Sequence, residues 1–408
     1  MRISPFRGIR YSAQQQAGPL AGPPYDQIDI DLQRQLHRES QHFAHLIRPA
    51  ESLGGAHRAA AALHQQWLDS HVLTIDATPT LYPYEIQLAA GGRRLGLCAL
   101  VGLEDAESGV IRPHEATVAK TVDERLSLLR QTQIDLEPIL MLADDKGGLN
   151  RLLEEDLLSS TPLVQHEDDT GSRHHLYQIA DPQRLADYRE ALSSSVGLIA
   201  DGHHRYTVAS RYAQEIHAAP GTAAASKLAV ITSLASPGLQ IDPIHRRLEQ
   251  SVDVESVAAL ATSHHSLTSG SGVEIAAAVA ATPQPAIGVT VGSRTEVWRF
   301  DGASPSTPLP EHLRHLSVGW LHDVLLPGLG LPSGAATDGT LTYRSDPHRL
   351  LAELLEGSAA VGFWLPPMSG EDFARAMEGG SLLPPKSTRF LPKVASGMVW
   401  ASHDTALS

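Results

Sequence analysis

The stretch Val196-Gly197-Leu198-Ile199-Ala200-Asp201-Gly202-His203-His204-Arg205-Tyr206 decides the fold. Residues 196–200 are uncharged and mostly apolar, the pattern of a buried strand, and Gly202 lets the backbone bend. A helix is expected from Tyr206 to about Ala218. A buried strand that enters a helix through a polar turn is the building unit of an α/β protein.

Periodicity extends this reading in both directions. Upstream, a helix is expected at 55–70, with Ala59, Ala62, Leu63, Trp67 and Leu68 at helical spacing. A hairpin follows, Leu81–Leu88 and Leu95–Val101 about Ala90-Gly91-Gly92. Helix Thr121–Gln131, strand Pro138–Leu142 and helix 182–192 lead back to the turn, interrupted by a polar, turn-rich piece at 146–174 that reads as a variable excursion with a short helix near Leu149–Leu158. Downstream, Pro220–Ala225 links to strand Leu228–Leu234. An Ala-rich helical part, hairpin Ala286–Val291 with Glu296–Phe300, helix 315–326, a Gly/Pro-rich segment at 327–338 and strand Ala360–Leu365 follow. Ser369, with Asp372 three residues on, opens a last helix. The expected fold class is α/β (mixed α+β): mixed sheets with flanking helices, in regions 1–240 and 241–408 or one continuous domain over 3–400.

Composition narrows the function. A hydrophobic share of 42% in 408 residues supports a sizeable core. The net charge of -14 argues against nucleic acid and anionic membrane as partners, although clustered Arg and His could still focus a small anion locally. Cys98 is the only cysteine, which excludes an intramolecular disulfide and a Cys-rich zinc site. No run approaches ~18 apolar residues, and Met1–Phe6 lacks the apolar core of a leader, so the cytoplasm is the expected location.

Three clusters could carry chemistry. At the turn, the unpaired N–H groups of a helix N-terminus form an anion site. Gly202, His203, His204 and Arg205 would add donors, and Arg can grip phosphate bidentately. Asp201 suits a metal ion, or the orientation of a histidine, better than phosphate; capping alone would explain Asp201 but not the run behind it. The second cluster is Arg112-Pro113-His114-Glu115-Ala116-Thr117 with Lys120. Val118 stands where a zincin needs its second histidine, which excludes a zinc peptidase. Glu115 remains a general base and Lys120 a phosphate contact. The third is the basic tail Pro384-Pro385-Lys386-Ser387-Thr388-Arg389-Phe390-Leu391-Pro392-Lys393, which either closes over an anionic site or docks as an edge strand. It has no glycine loop of the P-loop kind, and the chain carries neither a Rossmann fingerprint nor a G-x-S-x-G elbow.

Taken in order, Pro5-Phe6-Arg7, Pro23-Pro24-Tyr25-Asp26, His114-Glu115-Ala116-Thr117, Ile199 through Tyr206, Pro243-Ile244-His245-Arg246, Trp320-Leu321-His322 and Pro384 through Thr388 resemble the bacterial and archaeal domain-of-unknown-function family 1015. The turn is also similar to that of the ParB/sulfiredoxin superfamily, which implies a phosphate-binding core of that kind. The resemblance implies a small-molecule phosphotransferase, most concretely a free-serine kinase with pyrophosphate or a nucleotide as donor, an amino acid as acceptor and Mg²⁺ as cofactor. On that implication His203, His204, Arg205, Lys120 and Lys386 hold donor phosphates. Glu115 with His114 deprotonates the acceptor, and Asp201 places the metal. A phosphatase or nucleotide hydrolase on the same site, or a non-catalytic sensor of a phosphorylated metabolite, are the alternatives. Ser40-Gln41-His42-Phe43 departs from the family's Asn-Pro-Tyr-like stretch, and Arg389 replaces an aromatic residue.

Overall fold

The computed structural model describes all residues except 14, 16, 51–54, 159, 251, 268–269, 301–308, 332–338, 357–359, 381 and 405–408. Most of the expected Gly/Pro-rich segment at 327–338 therefore lies outside the described residues. The chain divides into two units, Met1–Leu239 with Pro392–Ser408, and Gln240–Leu391.

Unit 1 is built on a nine-stranded mixed sheet. Its strands are β1 (Ile3–Ser4), β2 (Tyr82–Gln87), β3 (Arg93–Gly102), β4 (Ile111–Arg112), β5 (Ile139–Ala143), β6 (Val164–Glu167), β7 (Arg173–Leu176), β8 (Gly197–Asp201) and β9 (Ser226–Ser233). The spatial order is β4-β8-β5-β9-β3-β2-β7-β6, with β1 added to β3. β8 runs parallel to β4 and antiparallel to β5, whereas β5 and β9 are parallel. β5 and β9 are buried along their whole length, and this is why β5 and the part of β9 after Lys227 read as apolar or small-residue runs without alternation.

The longer helices of this unit are α1 (Ile30–Leu36), α2 (Ala56–Asp69), α3 (Ala119–Thr132), α4 (Gly148–Leu157), α5 (Pro182–Ser193) and α6 (His203–Glu215). Leu149, Leu152 and Leu153 of α4, with Tyr188 and Leu192 of α5, pack on Leu97, Met141 and Ile199 of the sheet. A separate cluster joins Val122, Leu126 and Leu129 of α3 to Val208 and Tyr212 of α6. In the expected excursion at 146–174 the short helix is α4, as anticipated, but the rest supplies the edge strand β6 and, inside it, β7. Their polar sequence hid them: His174 of β7 is buried, but its ring bonds the Tyr84 hydroxyl (2.8 Å) and the Asp168 carboxylate (3.0 Å). Satisfied in this way, a polar side chain occupies a strand interior at little cost.

Unit 2 holds a six-stranded antiparallel sheet of β10 (His245–Leu248), β11 (Ser263–Leu267), β12 (Ala286–Val291), β13 (Arg294–Arg299), β14 (Leu341–Arg344) and β15 (Val361–Trp364), in the order β11-β13-β12-β15-β10-β14. Helices α7 (Gly272–Ala281) and α8 (Pro347–Glu356) bury Ile275, Val279, Leu350 and Leu354 against Trp364. Ser369 caps α9 (Gly370–Glu378) by accepting from the Asp372 N–H. The basic tail docks as an edge in this unit: Arg389–Leu391 pairs with Gln240–Asp242. Among the described residues no helix is long and apolar enough to cross a membrane.

Candidate functional site

The site grows from the end of β8. The pairing of β8 with β5 shifts register between Ile199 and Asp201, a bulge that re-aims the strand end. Gly202 then takes φ 98°, and α6 begins at His203, a turn earlier than periodicity suggests. The glycine is required twice over. A side chain there would need the left-handed conformation, and a Cβ would fall 2.6 Å from Ile139 Cγ2 and 3.0 Å from the Arg205 guanidinium.

The early helix start places His203, His204 and Arg205 in the first turn of α6, where their roles diverge. Arg205, 7% exposed, donates to Asp201 Oδ2 (2.8 Å) and to the Pro138 carbonyl (2.6 Å). Lys393 donates to Asp201 Oδ1. Burial works to raise the Asp201 carboxyl, but Lys393 and Arg205 outweigh it and hold the group at about 2. Both oxygens of Asp201 are thus engaged by cations. The tail that brings Lys393 is anchored by Arg94, which donates to the Pro392 carbonyl (2.7 Å), and by the Tyr84 hydroxyl, which accepts from the Ala395 N–H (3.1 Å).

The two histidines act on the second motif. His203 Nε2 accepts the His114 N–H (3.2 Å), and His204 Nε2 accepts the Val118 N–H (2.9 Å). The first turn of α6 therefore fastens both ends of the segment 114–118. In the neutral rings Nδ1 carries the proton, so it is the atom that can donate to an anion. His114 donates from Nδ1 to the Ile199 carbonyl (2.7 Å), beside the bulge. Burial depresses His114 to about 4 and His203 well below its ordinary value, so both rings are neutral at neutral pH. Side-chain ligand atoms of His114, Glu115 and His203 lie within 4.8 Å of one another. Lys120 is exposed in the first turn of α3. Lys386 belongs to unit 2, where its backbone has φ 57° and its carbonyl accepts from Arg246 (3.0 Å).

Several participants were not singled out from sequence. Lys393 was noted only as the end of the basic tail, and Glu137, whose carboxylate accepts from the Tyr25 N–H (2.8 Å) and the Ser396 hydroxyl (3.1 Å), was not noted at all. Arg125 stacks 4.6 Å from the Tyr25 ring, and Lys227 is buried on Asp135 and the Glu137 carbonyl. Arg125, Asp135, Glu137, Arg205, Lys227 and His403, with apolar neighbours such as Leu128 and Val208, line a small cavity of about 50 Å³. Tyr25 was noted only as part of a Pro-Pro loop. Glu137 and Asp135 carry no local motif, because what places them is the sheet.

Fold and site define a mixed α/β protein with a charged strand-to-helix turn to which a second loop is fastened. The chain belongs to the family described as "Protein of unknown function (DUF1015)", which it matches over residues 3–301. Among solved structures it is similar to a conserved hypothetical protein from Pyrococcus furiosus, with 13% identity, 72% of this chain and 90% of that chain covered, and a TM-score of 0.34. It is also similar to a free serine kinase in complex with AMP (13%, 72% and 87%, TM-score 0.36). A third is SbnI with C-terminal truncation from Staphylococcus aureus (12%, 73% and 85%, TM-score 0.37). No curated protein matches this chain.

Proposed function

We propose that the protein is a small-molecule phosphotransferase, most concretely a kinase of free serine that uses pyrophosphate or a nucleotide as donor. The observation that carries this reading is the charge arrangement at Asp201. One carboxylate sits between two cations, Arg205 and Lys393, at the mouth of a helix whose first N–H groups also favour an anion. An arriving phosphate can take over Lys393 and the helix N-terminus while Arg205 stays anchored to Asp201 and Pro138. His203 and His204 offer Nδ1–H to the same anion, and their Nε2 atoms keep the 114–118 segment in place. Glu115, carried on that segment, takes the proton of the acceptor hydroxyl as its oxygen attacks the donor's terminal phosphorus, and the P–O bridge of the donor breaks to release phosphate from pyrophosphate, or the nucleotide shortened by one phosphate. Lys120 is a further phosphate contact in this reading. Phosphoryl transfer depends chiefly on positioning and charge neutralisation, which such a set supplies.

Mg²⁺ would add neutralisation of the donor phosphates. Asp201 fits it poorly as a ligand, because both oxygens already accept from Lys393 and Arg205. In the His114, Glu115 and His203 group, His203 Nε2 already accepts the His114 N–H and His114 Nδ1 already donates to the Ile199 carbonyl, and imidazole donors suit transition metals better than Mg²⁺. Phosphorus NMR with pyrophosphate or ATP and a pool of amino acids, with and without Mg²⁺, tests the reading. Phosphoserine that forms only when serine is present is the expected result. If neither donor gives a new phosphorus species, the protein is not a phosphotransferase on these substrates.

A further inference from the structure

A second cleft in unit 1 is lined by different residues and does not depend on the function proposed above. It has a volume of about 590 Å³ and is lined by α1, the segment after Ile47, the start of α2, and Glu124 and Arg125 of α3. That volume suits a small-molecule ligand. Its charged and titratable lining is Arg34, His37, Arg48, His57, Glu124 and Arg125, and Ile30, Pro49, Ala50 and Ala56 supply an apolar part.

The charges of this cleft do not balance. Arg125 is 6% exposed; it donates to the Ile47 carbonyl (2.6 Å) and to Glu124 Oε1 (2.7 Å), and its Nε is buried without a partner. Glu124 is held below its ordinary value: burial raises it, but Arg125, Arg48 and His57 together outweigh that. One carboxylate thus serves several cationic or protonatable neighbours. Arg34 pairs at the rim with Asp31 (3.1 Å). Arg48 donates one bond to the Ile28 carbonyl (3.1 Å) and, among the described residues, pairs with no carboxylate; its Nε is also buried without a partner. His37 Nε2 is in the same condition. In a chain of net charge -14, a concave site with surplus guanidinium charge runs against the overall sign and draws in small anions.

We propose that this cleft binds a small organic phosphate, its phosphate held by Arg48 and Arg34 with the imidazoles of His37 and His57 alongside, and its organic part on Ile30, Pro49, Ala50 and Ala56. Guanidinium forks match phosphate oxygens, and the apolar lining gives a preference over inorganic anions.

The test is calorimetric titration of the full-length protein with AMP, adenosine and inorganic pyrophosphate, without metal or acceptor. AMP binds, adenosine binds at least about tenfold more weakly, and Arg48→Gln weakens AMP by at least about tenfold, in line with the loss of a charge-assisted contact. Arg34→Gln, at an exposed position that does not threaten folding, weakens AMP by about threefold and makes its affinity less sensitive to salt. No acceptor is present and only binding is read, so the result stands or falls separately from phosphoryl transfer. If AMP does not bind, or binds equally to the Arg34→Gln and Arg48→Gln proteins, the proposal is wrong. Binding of adenosine as tight as that of AMP also overturns it.

Discussion

Gly202 is the residue on which the turn depends, because its φ of 98° and its contact with Ile139 leave no room for a side chain. Gly202→Ala should lose about 1–2 kcal/mol from the backbone conformation alone, with more from the clash, read as a lowered denaturation midpoint. His114 carries a pH signature. Its folded value of about 4 lies below the ordinary 6.5, so on acidification the unfolded chain takes the proton first. Its contribution is complete above pH 6.5, declines as pH falls, and is fully lost near pH 4, about 3 kcal/mol in all. His114→Asn keeps a donor for the Ile199 carbonyl and should flatten stability against pH in that window by one proton. Asp201 behaves in the opposite range. Its depressed carboxyl stabilises the fold above its ordinary 3.8, and that contribution disappears as pH falls through about 2. Lys393→Met should raise the Asp201 value and weaken phosphate binding at the turn, measurable by carboxyl NMR titration and by pyrophosphate binding.

At the scale of elements, the first turn of α6 and the segment 114–118 form one device. His204→Ala removes the acceptor of the Val118 N–H at the start of α3, so exchange of that amide should speed up while the β9 amides keep their protection. A cost of about 1 kcal/mol is expected, that of one lost hydrogen bond. The elements themselves were mostly legible. β3, β5 and β9 announce themselves as apolar runs, and α2 and α3 by spacing. The start of α6 was not, because His203, His204 and Arg205 are polar and carry no periodicity of their own; the glycine conformation sets the start. β6 and β7 were missed because their polar side chains are satisfied by partners outside the strands: for His174, Tyr84 of β2 and Asp168 of the connecting turn.

For the whole molecule, the first unit is closed by the last part of the chain. Trp400 is fully buried and bonds through its backbone to Ile9, Ala401–Ser402 pairs with Ile134–Asp135, and Lys393 reaches Asp201. A chain ending at Leu391 should therefore lose cooperative unfolding of this unit, and Trp400→Ala alone should cost about 3–5 kcal/mol, both checked by thermal unfolding. The α/β class and the strand-to-helix turn were readable from the sequence alone, since these depend on local periodicity, on Gly202 and on residue type. Only the tertiary structure decided which cation reaches Asp201, that His203 and His204 fasten the His114 segment, and that Glu137 and Tyr25 stand beside Arg205. Those relations join residues far apart in sequence, and the order of strands in the sheet sets them.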